Sequence, residues 1–202
     1  MKIVTEEVLI GGNFLDWHSE VTGAYLEIKN AIANVVWPAG GRQFTINPVS
    51  MGNGVKPIKN GFLNILEKSN WVPEVRATLS GELGPGKIDA IKRLQSGKII
   101  AVEWETGNIS SSHRALNKLA IGMLNKRVEA GFLVLPERTL YRYLTDRIGN
   151  LQELRPYFDV WRTMRVEGVL GIIGIEHDAT SPDVPTIPKG LDGLSLSRRA
   201  IL

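Results

Sequence analysis

A change of hydrophobic period near residue 75 constrains this chain more than any other feature. Before it, Ala24, Ile28, Ala31, Ile32 and Val35 recur at helical spacing and predict a helix over 20–35. Pro38, Gly40 and Gly41 stop that helix, and the Asn-, Pro- and Gly-rich stretch 46–55 reads as loop. A second helix is predicted over 57–69, with Pro57 at its start and Phe62, Ile65 and Leu66 on its buried face. The period then falls to two. Segments 75–80, 87–94 and 98–104 read as strands, parted by turns at Gly84-Pro85-Gly86 and Ser96-Gly97.

Helical spacing returns over 112–129, where Leu116, Leu119, Ala120, Met123 and Leu124 make an apolar stripe with Arg114, Lys118 and Arg127 off it. The apolar run 131–135 has the character of a buried strand, followed by helical segments at 137–147 and 151–161 and a last strand at 169–175. From Thr180 the prolines 182, 185 and 188 predict an irregular tail. Strands and helices therefore alternate in one mixed α/β domain spanning 1–202, with 180–202 as its tail.

Composition removes several classes of function. There is no cysteine in the 202 residues, which excludes disulfide frameworks, thiolate zinc sites and cysteine nucleophiles. No stretch approaches the roughly 20 apolar residues that span a bilayer, and residues 1–15 lack the basic head and apolar run of a secretion signal. The expectation is a cytoplasmic protein with no membrane partner and no glycan at Asn108-Ile109-Ser110. A net charge of +3 permits a nucleic-acid partner without requiring one.

Any chemistry sits on the second and third predicted strands. Asp89 lies on one, and Glu103-Trp104-Glu105 ends the other. Strand side chains alternate faces, so Glu103 and Glu105 point one way and Trp104 the other. If Asp89 shares their face, three carboxylates converge, and their mutual repulsion calls for a hard cation such as Mg²⁺. Phosphodiester hydrolysis uses such a cation to neutralise phosphate and lower the pKa of a bound water. Glu105, beside a loop that must face a ligand, is the candidate to orient or deprotonate that water. The same spacing also describes the solvated face of a sheet, so spacing alone leaves both readings open.

A longer set of residues bears on the choice. Glu103-Trp104-Glu105-Thr106-Gly107-Asn108-Ile109-Ser110-Ser111-Ser112-His113-Arg114 with Asn117-Lys118-Leu119, and Tyr143-Leu144-Thr145-Asp146-Arg147 with Pro156-Tyr157-Phe158, resemble segments of the BamHI family of type II restriction endonucleases. Trp37-Pro38-Ala39, Asn53-Gly54-Val55 with Pro57-Ile58-Lys59, and Ile187-Pro188-Lys189-Gly190 with Asp192-Gly193 match in the same order. The resemblance spans nearly the whole chain.

It implies a restriction-endonuclease-like, PD-(D/E)xK α/β fold: a mixed sheet flanked by helices. It further implies a homodimer acting on double-stranded DNA at the palindrome GGATCC. By position, Asp89, Glu103, Glu105 and Glu74 resemble the catalytic carboxylates, with Asp89, Glu103 and Glu74 as metal ligands. Glu105 stands where many such nucleases carry lysine, which is a feature of this family. Asn108, Ser110, Arg114, Asp146 and Arg147 resemble the base-reading residues. Arg pairs with guanine and Asp with cytosine, so the choice is chemically sensible. Gly190, Asp192 and Gly193 resemble a segment that reaches the minor groove. Without the resemblance, Ser110–Ser112 would read as a helix cap, Asp146-Arg147 as a solvated helix end and Gly190–Gly193 as a flexible terminus.

Two departures stand out. The chain ends at Leu202, soon after Ser197-Arg198-Arg199, where the family's namesake runs on into a basic helix. Leu124, Asn125 and the region around Arg162 lack the relative's charge pattern, which predicts a more apolar dimer contact. A DNA-binding protein that has lost cleavage, and a structural α/β protein, are the competing readings. His113, a lone imidazole, is left outside the catalytic set.

Overall fold

A computed structural model describes residues 1–75, 86–105 and 107–190, with the side chains of Glu74 and Val75 left out of that description. A six-stranded sheet runs through its centre in the order β1-β7-β6-β5-β4-β3. These strands are β1 (Lys2–Ile10), β3 (Val72–Val75), β4 (Ile88–Arg93), β5 (Ile99–Trp104), β6 (Val128–Pro136) and β7 (Val169–Glu176). β5, β6 and β7 are parallel to one another, while β1, β4 and β3 join antiparallel, so the sheet is mixed. A two-stranded parallel pair, β2 (Thr45–Ile46) with β8 (Ala179–Thr180), lies apart from it.

The central strands explain why both faces are covered. All six residues of β5 are buried, as are eight of the nine in β6, which suits a strand packed on two sides. One face carries α1 (Ser19–Ala33) and α2 (Lys56–Glu67), whose Ile28, Ile32, Phe62 and Leu66 meet Phe132, Val102 and Val134. The other carries α3 (Ile109–Leu124) and the broken helical stretch α5 (Leu151–Leu154) and α6 (Phe158–Arg162). There Leu116, Leu119, Phe158 and Trp161 meet Leu133, Leu135 and Ile172.

Several expected boundaries move for identifiable reasons. β1 is not expected from the sequence, because Lys-Ile-Val-Thr-Glu-Glu-Val-Leu-Ile lacks a clean two-residue alternation and its first seven residues stay partly or fully exposed at the sheet edge. β3 begins at Val72, ahead of the strand expected from 75, and 76–80 lie outside the described residues. α3 begins at Ile109 rather than 112, because the Asn108 side chain accepts the Ser111 N–H at 3.1 Å and so supplies the cap. It ends at Leu124, not 129: Lys126 takes a positive φ of 56°, and Val128 and Glu129 already belong to β6. Of the helix expected over 137–147 only α4 (Arg138–Tyr141) forms.

Stretch 181–190 carries no helix or strand, yet it is tied down through Asn53. That side chain is fully buried; its Oδ1 accepts the Ile187 N–H at 3.0 Å and its Nδ2 donates to the carbonyls of Asn47 and Tyr143. The predicted loop 46–55 is therefore a clamp on the tail.

The fold places α3 closely. Gly131 of β6 faces this helix, and a Cβ there would fall 2.9 Å from Leu119 Cβ. Gly131→Ala should destabilise the fold by about 1–3 kcal/mol through overpacking, read from urea unfolding midpoints. A midpoint equal to that of the unaltered protein would show that α3 does not need this close seat.

Candidate functional site

β4 and β5 run antiparallel with Ala90 opposite Val102 and Ile91 opposite Ala101. Continuing that register brings Asp89 opposite Glu103, on one face of the sheet. Asp89 Oδ2 accepts the Trp104 N–H at 2.8 Å across the pair, which orients its carboxylate. Glu103 is only 5% exposed. Burial and the neighbouring Asp89 charge push its carboxyl up from 4.5 to about 7, against the opposing pull of Lys118 and Lys59.

The two lysines come from different helices. Lys59 of α2 lies 2.5 Å from Asp89 Oδ1. Lys118 of α3 forms an ion pair with Glu103 Oε1 and donates to the Lys87 carbonyl at 2.5 Å. Helical spacing sets Lys118 off the apolar stripe; the structure buries it at the site. Lys59 entered only as part of a matching segment. A search for buried cations facing strand carboxylates requires the fold, so no local signal in the sequence would have found either pairing.

The expectation of three converging carboxylates is corrected. Among the described residues no three carboxylate or imidazole groups stand close enough to enclose a metal ion. Glu105 follows on from Glu103, held to β6 by its N–H on the Val134 carbonyl, but its Oε1 accepts the Gly107 N–H at 2.5 Å. Its carboxylate thus leans toward the start of α3. Glu74 sits on β3, and its side chain lies outside the described residues. What converges is the pair Asp89 and Glu103. That pair still fits Mg²⁺, which commonly takes one or two carboxylates and completes its shell with water and phosphate. The two ammonium groups already on these oxygens show that cations are favoured there.

The candidate reading residues gather nearby. Asn108, Ser110 and Arg114 are exposed at the first turns of α3, with Arg114 Nη2 3.3 Å from Ser111 Oγ. The Asn108 Oδ1 is used by its cap, which leaves the Nδ2 group as its donor to a ligand. Asp146 and Arg147 sit on the loop after α4, with a 3.7 Å contact between them and Arg147 at a positive φ of 67°.

The two groups are joined: the Gly149 N–H donates to the Gly107 carbonyl at 2.8 Å, and the same Gly107 caps Glu105 through its N–H. A Cβ on Gly149 would fall 2.6 Å from Ser112 Oγ, so only glycine permits this approach. The tail is drawn to the same region, since Asn53 also accepts the Thr145 N–H on its carbonyl at 2.7 Å. Gly190 is exposed at its end, while Asp192 and Gly193 lie outside the described residues. His113 packs edge-on against Tyr157 with ring centres 4.5 Å apart.

Comparison with known proteins gives concordant results. The family described as "Restriction endonuclease BamHI" matches residues 1–194. The type II restriction enzyme OkrAI of Oceanobacter kriegii is 47% identical over 197 residues, covering 97% of this chain and all of that protein. The type II restriction enzyme BamHI of Bacillus amyloliquefaciens is 40% identical over 181 residues, covering 85% and 82%. The restriction endonuclease BglII, solved in complex with a DNA 16-mer, superposes with a TM-score of 0.59 at 12% identity over 88% of this chain and 79% of its own. That last likeness concerns the fold alone, and it agrees with the expected mixed α/β arrangement.

The raised Glu103 carboxyl has a measurable consequence. Protonated, it stabilises the fold fully below its unfolded value of 4.5, and this contribution is lost as pH rises through about 7. Without metal, the unaltered protein should lose on the order of 2–3 kcal/mol relative to Glu103→Gln between about pH 5 and pH 8. Unfolding free energies that change in parallel for the two proteins would contradict the assignment.

Proposed function

The chain belongs to the BamHI family of type II restriction endonucleases, and we propose that it acts as a homodimer on double-stranded DNA at GGATCC, with Mg²⁺ as its cofactor. Each subunit hydrolyses one strand of the palindrome, so that two-fold protein symmetry matches two-fold DNA symmetry. The observation that carries this reading is the pairing of half-buried Asp89 with buried Glu103, in register across β4 and β5 and each met by a cationic side chain.

In the proposed mechanism Asp89 and Glu103 would hold the divalent ion, with Glu74 of β3 as a further ligand and catalytic carboxylate. The bound ion would neutralise the phosphate and acidify a water molecule. Glu105 would accept the proton of the attacking water, oriented by the Gly107 N–H on its Oε1.

Asp146 and Arg147 read a G·C pair, with Arg147 donating to guanine O6 and N7 and Asp146 accepting from cytosine N4. Asn108, Ser110 and Arg114 contact the major groove from the start of α3, and Gly190 with Asp192 reaches the minor groove. Among the described residues no helix is long and apolar enough to cross a membrane, and the proposed place of action is the bacterial cytoplasm, where the DNA is.

The decisive test is digestion of a plasmid carrying one GGATCC site. Linearisation with Mg²⁺, none with EDTA and none by Glu103→Ala is the expected result. Specific binding without cutting would instead favour a DNA-binding protein that has lost cleavage, and cutting at another sequence would overturn the site assignment. Arg147→Ala should lower discrimination for the cognate site by about 1–3 kcal/mol, measured as relative kcat/KM on cognate and single-substitution duplexes. Unchanged discrimination would remove Arg147 from the reading set.

A further inference from the structure

The two lysines on the carboxylate pair are not equivalent, and the difference suggests a role for one of them. Lys118 is held twice, by Glu103 and by the Lys87 carbonyl, and its side chain is 10% exposed. Lys59 is held once among the described residues, by Asp89 Oδ1, and its side chain is 22% exposed. The other oxygen of Asp89 is committed to the Trp104 N–H. Oδ1 is therefore the oxygen Asp89 can offer to a metal ion, and an ammonium sits on it.

We propose that Lys59 is a resident counter-cation that a divalent ion must displace from Asp89, after which its ammonium is released toward the bound phosphate. The inference rests on the reading that Asp89 and Glu103 hold the metal. Charge balance supports it. With both carboxylates ionised, the two negative charges of Asp89 and Glu103 are matched by the two positive ones of Lys59 and Lys118. A divalent ion entering with both ammonium groups in place would meet two like charges in a partly buried site, which is strongly unfavourable. Lys118 cannot leave without stranding a buried charge and an unpaired carbonyl. Lys59 can leave more readily, because its side chain is 22% exposed against 10% for Lys118 and a released ammonium is strongly hydrated. The released cation stays on α2 beside Asp89, near any phosphate oxygen brought to the metal. An ammonium from a helix would then serve where the lysine of many related nucleases is replaced by Glu105.

The test is Mn²⁺ binding to the DNA-free protein, followed by the electron paramagnetic resonance of the free ion. Lys59→Met and Lys59→Gln should each bind Mn²⁺ at least about tenfold more tightly than the unaltered protein, because a competing cation is gone. Both should bind a cognate duplex more weakly in EDTA-free buffer with Ca²⁺. Equal or weaker Mn²⁺ binding by both folded variants overturns the proposal.

A measurement on the unaltered protein guards against misfolded variants. With ¹³Cε-labelled lysine, Mg²⁺ should move the Lys59 resonance to the position of exposed lysines and leave that of Lys118 in place. No movement of Lys59 at saturating Mg²⁺ also overturns it. Asp89→Asn and Glu103→Gln separate the two levels of the argument. If both still bind Mn²⁺ as the unaltered protein does, the metal-site reading itself fails, and the role of Lys59 fails with it.

Discussion

Two carboxylates side by side in a buried place are tolerated only if cations neutralise them, and much of this structure is arranged around that requirement. Asp89 and Glu103 lie on adjacent strands, and neither strand supplies the compensating charge. It comes from α2 on one face of the sheet and α3 on the other, through Lys59 and Lys118. The ion pairs therefore tie both helical layers to the strand pair at one point. Buried pairs of this kind add little net stability, but removing one partner is costly, so they define positions more than they strengthen the fold.

Around that point the backbone links segments distant in sequence. Gly107 joins Glu105 to the loop of Asp146 and Arg147, and Asn53 joins that loop to the tail at Ile187. Each junction depends on a small or fully buried residue making backbone contacts. Gly54 illustrates the tightness: a Cβ there would fall 2.0 Å from the Pro188 carbonyl oxygen. Among the described residues, candidate reading and candidate cleaving residues therefore share one hydrogen-bonded framework.

Much of the architecture was legible from pattern. The helices at 19–33 and 56–67 and the strand at 169–176 have clean periodicity and strong stops, and they form within two residues of expectation. The sheet edge was not legible: β1 alternates charge and apolar groups weakly, since an edge strand buries little. The end of α3 was misjudged because Val128 and Glu129 fit a helical stripe as well as a strand, and only the left-handed turn at Lys126 separates them. The helix over 137–147 failed because its residues satisfy backbone groups of the 46–55 clamp instead. At the site, Asp89, Glu103 and Glu105 could be named from local spacing and resemblance. The turning of Glu105 toward Gly107 could not, because it depends on the start of α3 lying across the strand end.

The sequence by itself determined the mixed α/β class, the strand pair bearing the carboxylates and membership of a nuclease family. These follow from short-range periodicity and from residue identity in order, which need no three-dimensional information. Tertiary structure alone decided that Asp89 and Glu103 pair, that Glu105 accepts the Gly107 N–H, that Lys118 is buried and that Lys59 reaches Asp89. The physical reason is that charge neutralisation in a buried site is a long-range matter. Residues 30 positions apart in the chain satisfy one another only after the helices have packed.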